Sequence, residues 1–135
     1  MRHCIFISIG TMAKPKRFIA QVFTQKLDQV IDSLIEHKHA WPELRQTDVQ
    51  VKDIAQEFGV NSATLRRWCQ EHTALSPRQY LAIYRVEQAK SLLRLGLKPS
   101  IVSTRLAFTE HKTFSTLFKR LHGASPSDYS YNSTL

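Results

Sequence analysis

The sequence predicts an all-α fold: two small helical subdomains joined by a long linker helix. Three observations point there. Apolar residues recur at helical rather than strand spacing. Gly and Pro are few and fall where helices would start or stop. A pattern of residues repeats after roughly fifty positions, so one supersecondary unit is used twice.

The first helix is expected over residues 18–38. Phe18, Val22, Leu27, Val30, Ile31, Leu34 and Ile35 line one side, with Asp28, Asp32 and Glu36 mainly on another. Residues 39–48, with Trp41-Pro42 inside, read as a loop. A second helix is expected from about Val49 to Phe58, ended by Gly59, and a third after Asn61-Ser62, whose side chains can cap it, to about His72. Ser76-Pro77 then opens a long helix to Leu95, stopped by Gly96. Pro99-Ser100 begins a short helix to about Leu106. The next starts near Thr109 or Glu110 and ends before Gly123. Ser125-Pro126 begins a last turn or short helix, followed by a polar tail.

The repeat is carried by named pairs. Ser76-Pro77-Arg78-Gln79-Tyr80 matches Ser125-Pro126-Ser127-Asp128-Tyr129, and Ala74 matches Gly123. Leu65 matches Phe114 and Cys69 matches Phe118. Upstream the offset is one residue shorter: Phe58-Gly59-Val60 matches Leu106-Ala107-Phe108, and Ala55 matches Ser103. The domain division that follows is a basic N-terminal arm (1–17), a first subdomain with its supporting helix (18–75), the linker helix (76–96), and a second subdomain with the tail (97–135).

Composition bounds the partner. The 135 residues carry a formal net charge of +8, with a sequence pI near 9.8, which favours a polyanion and above all nucleic acid. Residues 1–17 carry +4, residues 18–59 carry −3 and residues 60–135 carry +7. The apolar run Cys4-Ile5-Phe6-Ile7-Ser8-Ile9 is too short to span a membrane. Lys14-Pro15-Lys16-Arg17 follows it instead of a cleavage site, which argues against a secretory signal, and Met12 is a possible alternative start. Cys4 and Cys69 read as free thiols. Cys69 and His72, or His37 and His39, have ligand-like spacings, but a zinc site needs about four ligands and no second close pair of cysteines exists. No Gly-rich phosphate loop or catalytic carboxylate pair appears. Neither enzymatic activity, a metal nor a cofactor is expected.

Each copy follows the steric rules of a helix-turn-helix. In the first, Ile54, Phe58, Val60, Leu65 and Trp68 fall inside, Ala55 is small at the helix crossing, and Gly59 occupies the turn. The second helix of such a unit lies in the major groove of double-stranded DNA, and its exposed N-terminal residues reach base edges. Those are Ser62, Ala63, Arg66 and Arg67 in copy one, with Arg66 and Arg67 suited to guanine O6 and N7. In copy two they are His111, Lys112, Ser115 and Thr116. That face lacks an arginine, so weaker readout is expected, through phosphates and methyl groups. A linker of Pro77 to Leu95 spans about 28 Å at about 1.5 Å per residue. This is the order of one DNA turn, about 34 Å, so one monomer could touch two successive major grooves.

Together these residues resemble the AraC/XylS family of bacterial transcription regulators. The resemblance covers roughly residues 49–129. It rests on Asp53-Ile54-Ala55, Phe58-Gly59-Val60, Leu65-Arg66-Arg67, Ser76 to Leu81, Arg85-Val86, Ala89 and Leu92-Leu93 in the first unit and linker. In copy two it rests on Phe108, Phe114, Phe118-Lys119-Arg120, Gly123, Ser125-Pro126 and Tyr129, while Ala107 stands where the family usually has glycine. The resemblance implies paired helix-turn-helix units and a supporting first helix. It also implies a cytoplasmic activator that contacts RNA polymerase and binds DNA as a monomer. The length suggests the short stand-alone type, similar to MarA and SoxS, set by abundance rather than by an effector. Two alternatives stay open. One is a protein-interaction regulator, suggested by the acidic first helix, the longer loop and the divergent copy two. The other is an architectural binder without sequence preference.

Overall fold

A computed structural model describes the backbone of residues 16–41 and 48–134, and the side chains of residues 19–41 and 48–130. The expected arm through residue 15 and most of the expected loop therefore lie outside the described residues. Seven helices follow in order among them: α1 (Lys16–Ala40), α2 (Val51–Phe58), α3 (Ser62–Thr73), α4 (Pro77–Arg94), α5 (Pro99–Arg105), α6 (His111–His122) and α7 (Pro126–Thr134). No strand occurs among the described residues, and the all-α expectation holds.

Most boundaries fall within two residues of those read from the sequence, and the differences have local causes. Lys16 and Arg17, expected in the arm, form the first turn of α1, and α1 continues through His39 and Ala40, which were expected in the loop. α2 begins at Val51 rather than Val49 because Gln50 takes the extended cap position, and the Asp53 carboxylate accepts its backbone N–H at 3.0 Å. α7 continues to Thr134, well past the short turn expected before a polar tail. Ser76 opens α4 as expected: its Oγ accepts from Gln79 N at 3.1 Å, the Gln79 side chain accepts from Ser76 N at 3.0 Å, and Pro77 occupies the first turn.

Two cores result. The first gathers Leu27, Ile31 and Ile35 of α1 around Ile54, Ala55, Leu65, Cys69 and Leu81. Spacing of four residues along α1 puts the first three on one stripe. The second gathers Val86, Ala89 and Leu93 of α4 with Val102, Leu106, Phe108, Phe114 and Phe118. α4 thus serves one core with Leu81 and the other from Val86 onward, and buried Arg85 stands at the change of partner. This explains why its apolar residues spread around the helix instead of forming one stripe. Burial of each large aliphatic or aromatic side chain contributes about 1.5–3 kcal/mol.

α1 and α4 are also tied by polar contacts. Tyr80 Oη donates to Asp28 and Tyr84 Oη to Asp32, each at 2.6 Å, and the two rings stack with centroids 6.5 Å apart. Burial, then the hydrogen bond to each carboxylate, pushes both phenols well above their usual range. Asp28 is shifted upward by burial, with Tyr80 opposing.

Candidate nucleic-acid interface

The helix-turn-helix geometry is present in both copies. Gly59 and Ala107 occupy the two turns with φ of 73° and 62°. In each turn the next N–H reaches back across it, Val60 N to Ala55 O at 3.0 Å and Phe108 N to Ser103 O at 3.1 Å. Ala55 and Ser103 are both buried where the paired helices cross. A left-handed backbone strains a residue with a Cβ, so Ala107 carries a strain that Gly59 avoids.

α3 starts at Asn61, whose side chain accepts from Thr64 N at 2.8 Å. Leu65 and Cys69 hold it to the first core with no exposed surface. Trp68 and Phe58 are half-buried rather than fully inside, and meet Phe23 of α1 with ring centroids 6.4 and 5.7 Å away. Anchoring one face presents the other. Ala63, Arg66 and Arg67 are exposed, whereas Ser62 is half-buried in the first turn. Gln70 continues this outward stripe at the next helical step. It lies one turn beyond the residues expected at the groove, at the i+7 position of the i, i+3, i+4, i+7 spacing from Ala63 that the sequence already carries. A glutamine there has the donor and acceptor pair that matches adenine.

α6 is held by Phe114 and Phe118, both without exposed surface. His111, Lys112 and Thr116 are exposed; Ser115 is half-buried, with its Oγ 3.3 Å from His111 Nε2. Lys119 and Arg120 extend the positive charge along the helix. Among the described residues, none of Arg66, Arg67, Lys112, Lys119 and Arg120 enters an ion pair. Their charge is therefore available to an external anion.

Cys69 lies on the buried side of α3, and burial pushes its thiol up to about 11, opposite to what a nucleophile or metal ligand requires. Among the described residues no group of three or more His, Cys, Asp or Glu side chains could hold a metal ion. None of the described helices is long and apolar enough to cross a membrane.

Comparison with known proteins agrees with this geometry. A helix-turn-helix domain family matches residues 54–131. The chain is 34% identical over 84 residues to the transcriptional regulatory protein HptR of Staphylococcus aureus, covering 62% of this chain and 33% of HptR. It is 46% identical over 79 residues to an uncharacterized HTH-type transcriptional regulator of Mycobacterium tuberculosis, covering 58% of this chain and 23% of that protein. It thus spans a third or less of the length of these relatives. In fold it is similar to the C-terminal domain of AraT, a response regulator from Geobacillus stearothermophilus, with TM-score 0.65, 24% identity, and 80% and 83% of the two chains covered. An AraC-type regulator from Chromobacterium violaceum gives TM-score 0.60 at 18% identity over 83% and 96%. With the matched segment reaching from the first turn-forming helix to α7 and covering more than half of the chain, the chain belongs to this helix-turn-helix domain family, of the AraC/XylS type.

Proposed function

We propose that the chain binds double-stranded DNA sequence-specifically, with α3 and α6 in successive major grooves, and thereby regulates transcription. The observation that carries this is the outward stripe of α3: Ala63, Arg66, Arg67 and Gln70 face away from the first core, without an intramolecular partner for either arginine among the described ion pairs. Arg66 and Arg67 supply bidentate donors for guanine, and Ser62 and Ala63 lie at the groove-facing start of the helix. In α6, His111, Lys112, Ser115 and Thr116 make the second contact, weighted toward phosphates and methyl groups. The 18 residues of α4 span about 27 Å, on the scale of the groove repeat. The family resemblance supports a monomeric activator that contacts RNA polymerase in the bacterial cytoplasm.

Duplex sites selected from a random pool test the reading. Affinity for the selected site should fall steeply with salt, and that site should be preferred over competitor DNA. Replacing both arginines, Arg66→Ala with Arg67→Ala, should cost at least about tenfold on the selected site and remove its preference. An unchanged preference in the double variant would falsify the assignment of α3 as the reading helix.

The alternative of a protein-interaction regulator drew on the acidic side of α1. Two of its three acids, Asp28 and Asp32, accept from tyrosines of α4, with Asp28 half-buried and Asp32 still exposed.

A further inference from the structure

Asp48, Arg85 and Thr109 stand far apart in the chain and meet in one polar node. Arg85, in the middle of α4, is only 4% exposed. Its Nη2 donates to the Leu106 carbonyl at 3.0 Å and to Asp48 Oδ1 at 3.4 Å, and its guanidinium lies 3.8 Å from the centre of the Phe108 ring. The same Asp48 oxygen accepts from the backbone N of Thr109 at 3.2 Å and from its Oγ1 at 3.1 Å. Asp48 leads into α2, the first helix of copy one. Thr109 leads into α6, the groove-facing helix of copy two. The node therefore joins the start of one unit to the start of the other's exposed helix, across the linker.

A buried cation is a costly way to join two surfaces; apolar contacts would do it more cheaply. Directional bonds fix rotation as well as separation. Rotation matters on DNA, because each added base pair moves the next half-site by about 3.4 Å and turns it by about 34°. When two binding modules are linked, the second gains from the first only if the linkage presents it in the right place. Ala107, in the turn of copy two, packs into the first core and closes the same seam.

We propose that the Asp48–Arg85–Thr109 node is a positioning device that sets the angle and spacing of α6 relative to α3, and so selects which half-site spacing the protein accepts. This deepens the DNA-binding reading and rests on it.

The test compares wild type with Asp48→Ala, Thr109→Val and Arg85→Met. Binding is measured to the selected duplex, to versions with one or two base pairs inserted or removed between half-sites, and to each half-site alone. In wild type, a one-base-pair change should cost about tenfold. In the variants the matched site should lose affinity while mis-spaced sites barely change, shrinking that contrast to about threefold or less, with half-site affinity held within about twofold. Nitroxides at Glu71→Cys and Arg120→Cys, in a Cys4→Ser background, should give a narrow distance distribution in wild type and a broader one in the variants. Equal losses on all sites, or an unchanged spacing profile with unchanged label distances, overturn the proposal. Should Arg85→Met fail to fold, the other two variants, whose side chains lie nearer the surface, carry the same decision. A wild-type chain with no duplex preference overturns the DNA-binding reading, and the label distances still report whether the node orients the units.

Discussion

Cys69 shows what burial does to one side chain. Its thiol stays protonated in the folded chain to about pH 11, against an ordinary value of 9.0. As pH rises past 9 the unfolded chain loses this proton while the folded chain keeps it, so stability present below pH 9 declines toward pH 11. The contribution at stake is at most about 3 kcal/mol. The urea midpoint of wild type should therefore fall between pH 9 and 10 more steeply than that of Cys69→Ala. Parallel pH profiles would refute this account. Tyr80 and Tyr84, whose phenols are also raised, add a decline above pH 10 that both proteins share. The interior place of Cys69 was legible in the sequence, because it falls four residues after Leu65 and matches Phe118 in the repeat. Arg85 was not legible in the same way. Its partners lie 37 and 21 residues away in the chain, and no local pattern distinguishes an arginine that will be buried from one left in water. The same limit hid the carboxylates that accept from Tyr80 and Tyr84, which the helical pattern could only count as part of an apolar face.

At the scale of the element, the ends of helices decide how well α3 and α6 are held. Each finishes on a left-handed residue, Ala74 with φ 61° and Gly123 with φ 98°. Only the alanine carries a Cβ into that conformation, and it is exposed, so its methyl gains little from burial. Ala74→Gly should raise the unfolding free energy by about 0.5–1 kcal/mol, the relief of strain being partly offset by a freer unfolded chain. Denaturant unfolding checks this; a loss of stability would show that strain at Ala74 is not the larger effect. The repeat already paired Ala74 with Gly123, so this likeness was readable in advance. Helix starts were harder to read. Ser76 and Asn61 announced themselves as caps, whereas Gln50 is an uncommon cap and its partnership with Asp53 displaced the start of α2. The exposed stripe of α3 was legible through Arg67, whereas Gln70 lies one turn beyond the groove-facing start of the helix, the part that the docking geometry of such a unit singles out.

For the whole molecule, the two-unit plan was readable from the repeat, but the seam between the units was not, since a repeat describes each copy and says nothing about what passes between them. The seam is substantial. α1 packs on α5 as well as on α2 and α3, with His39 Nδ1 3.3 Å from the Thr104 carbonyl oxygen. Together with the Arg85 node, this couples the unfolding of one core to the other. In a Trp41→Phe background, emission from Trp68, which reports on the first core, and the far-UV helical signal, which reports on both, should follow one common thermal transition. Loss of half the helical signal while Trp68 emission remains native would show that the units melt separately.

Ala107 belongs by chain order to the second unit and by location to the first unit's core. Swapping the second unit for that of a relative would thus edit the first unit's interior without altering a letter of residues 18–96. A donor with glycine at that place would relax the turn yet leave a methyl-sized hole in the first unit's core, and a bulkier donor residue would crowd that core. Hybrids of this architecture are therefore constrained at an inherited joint, and shuffling succeeds only when residue 107 and the surface that receives it are exchanged as one piece.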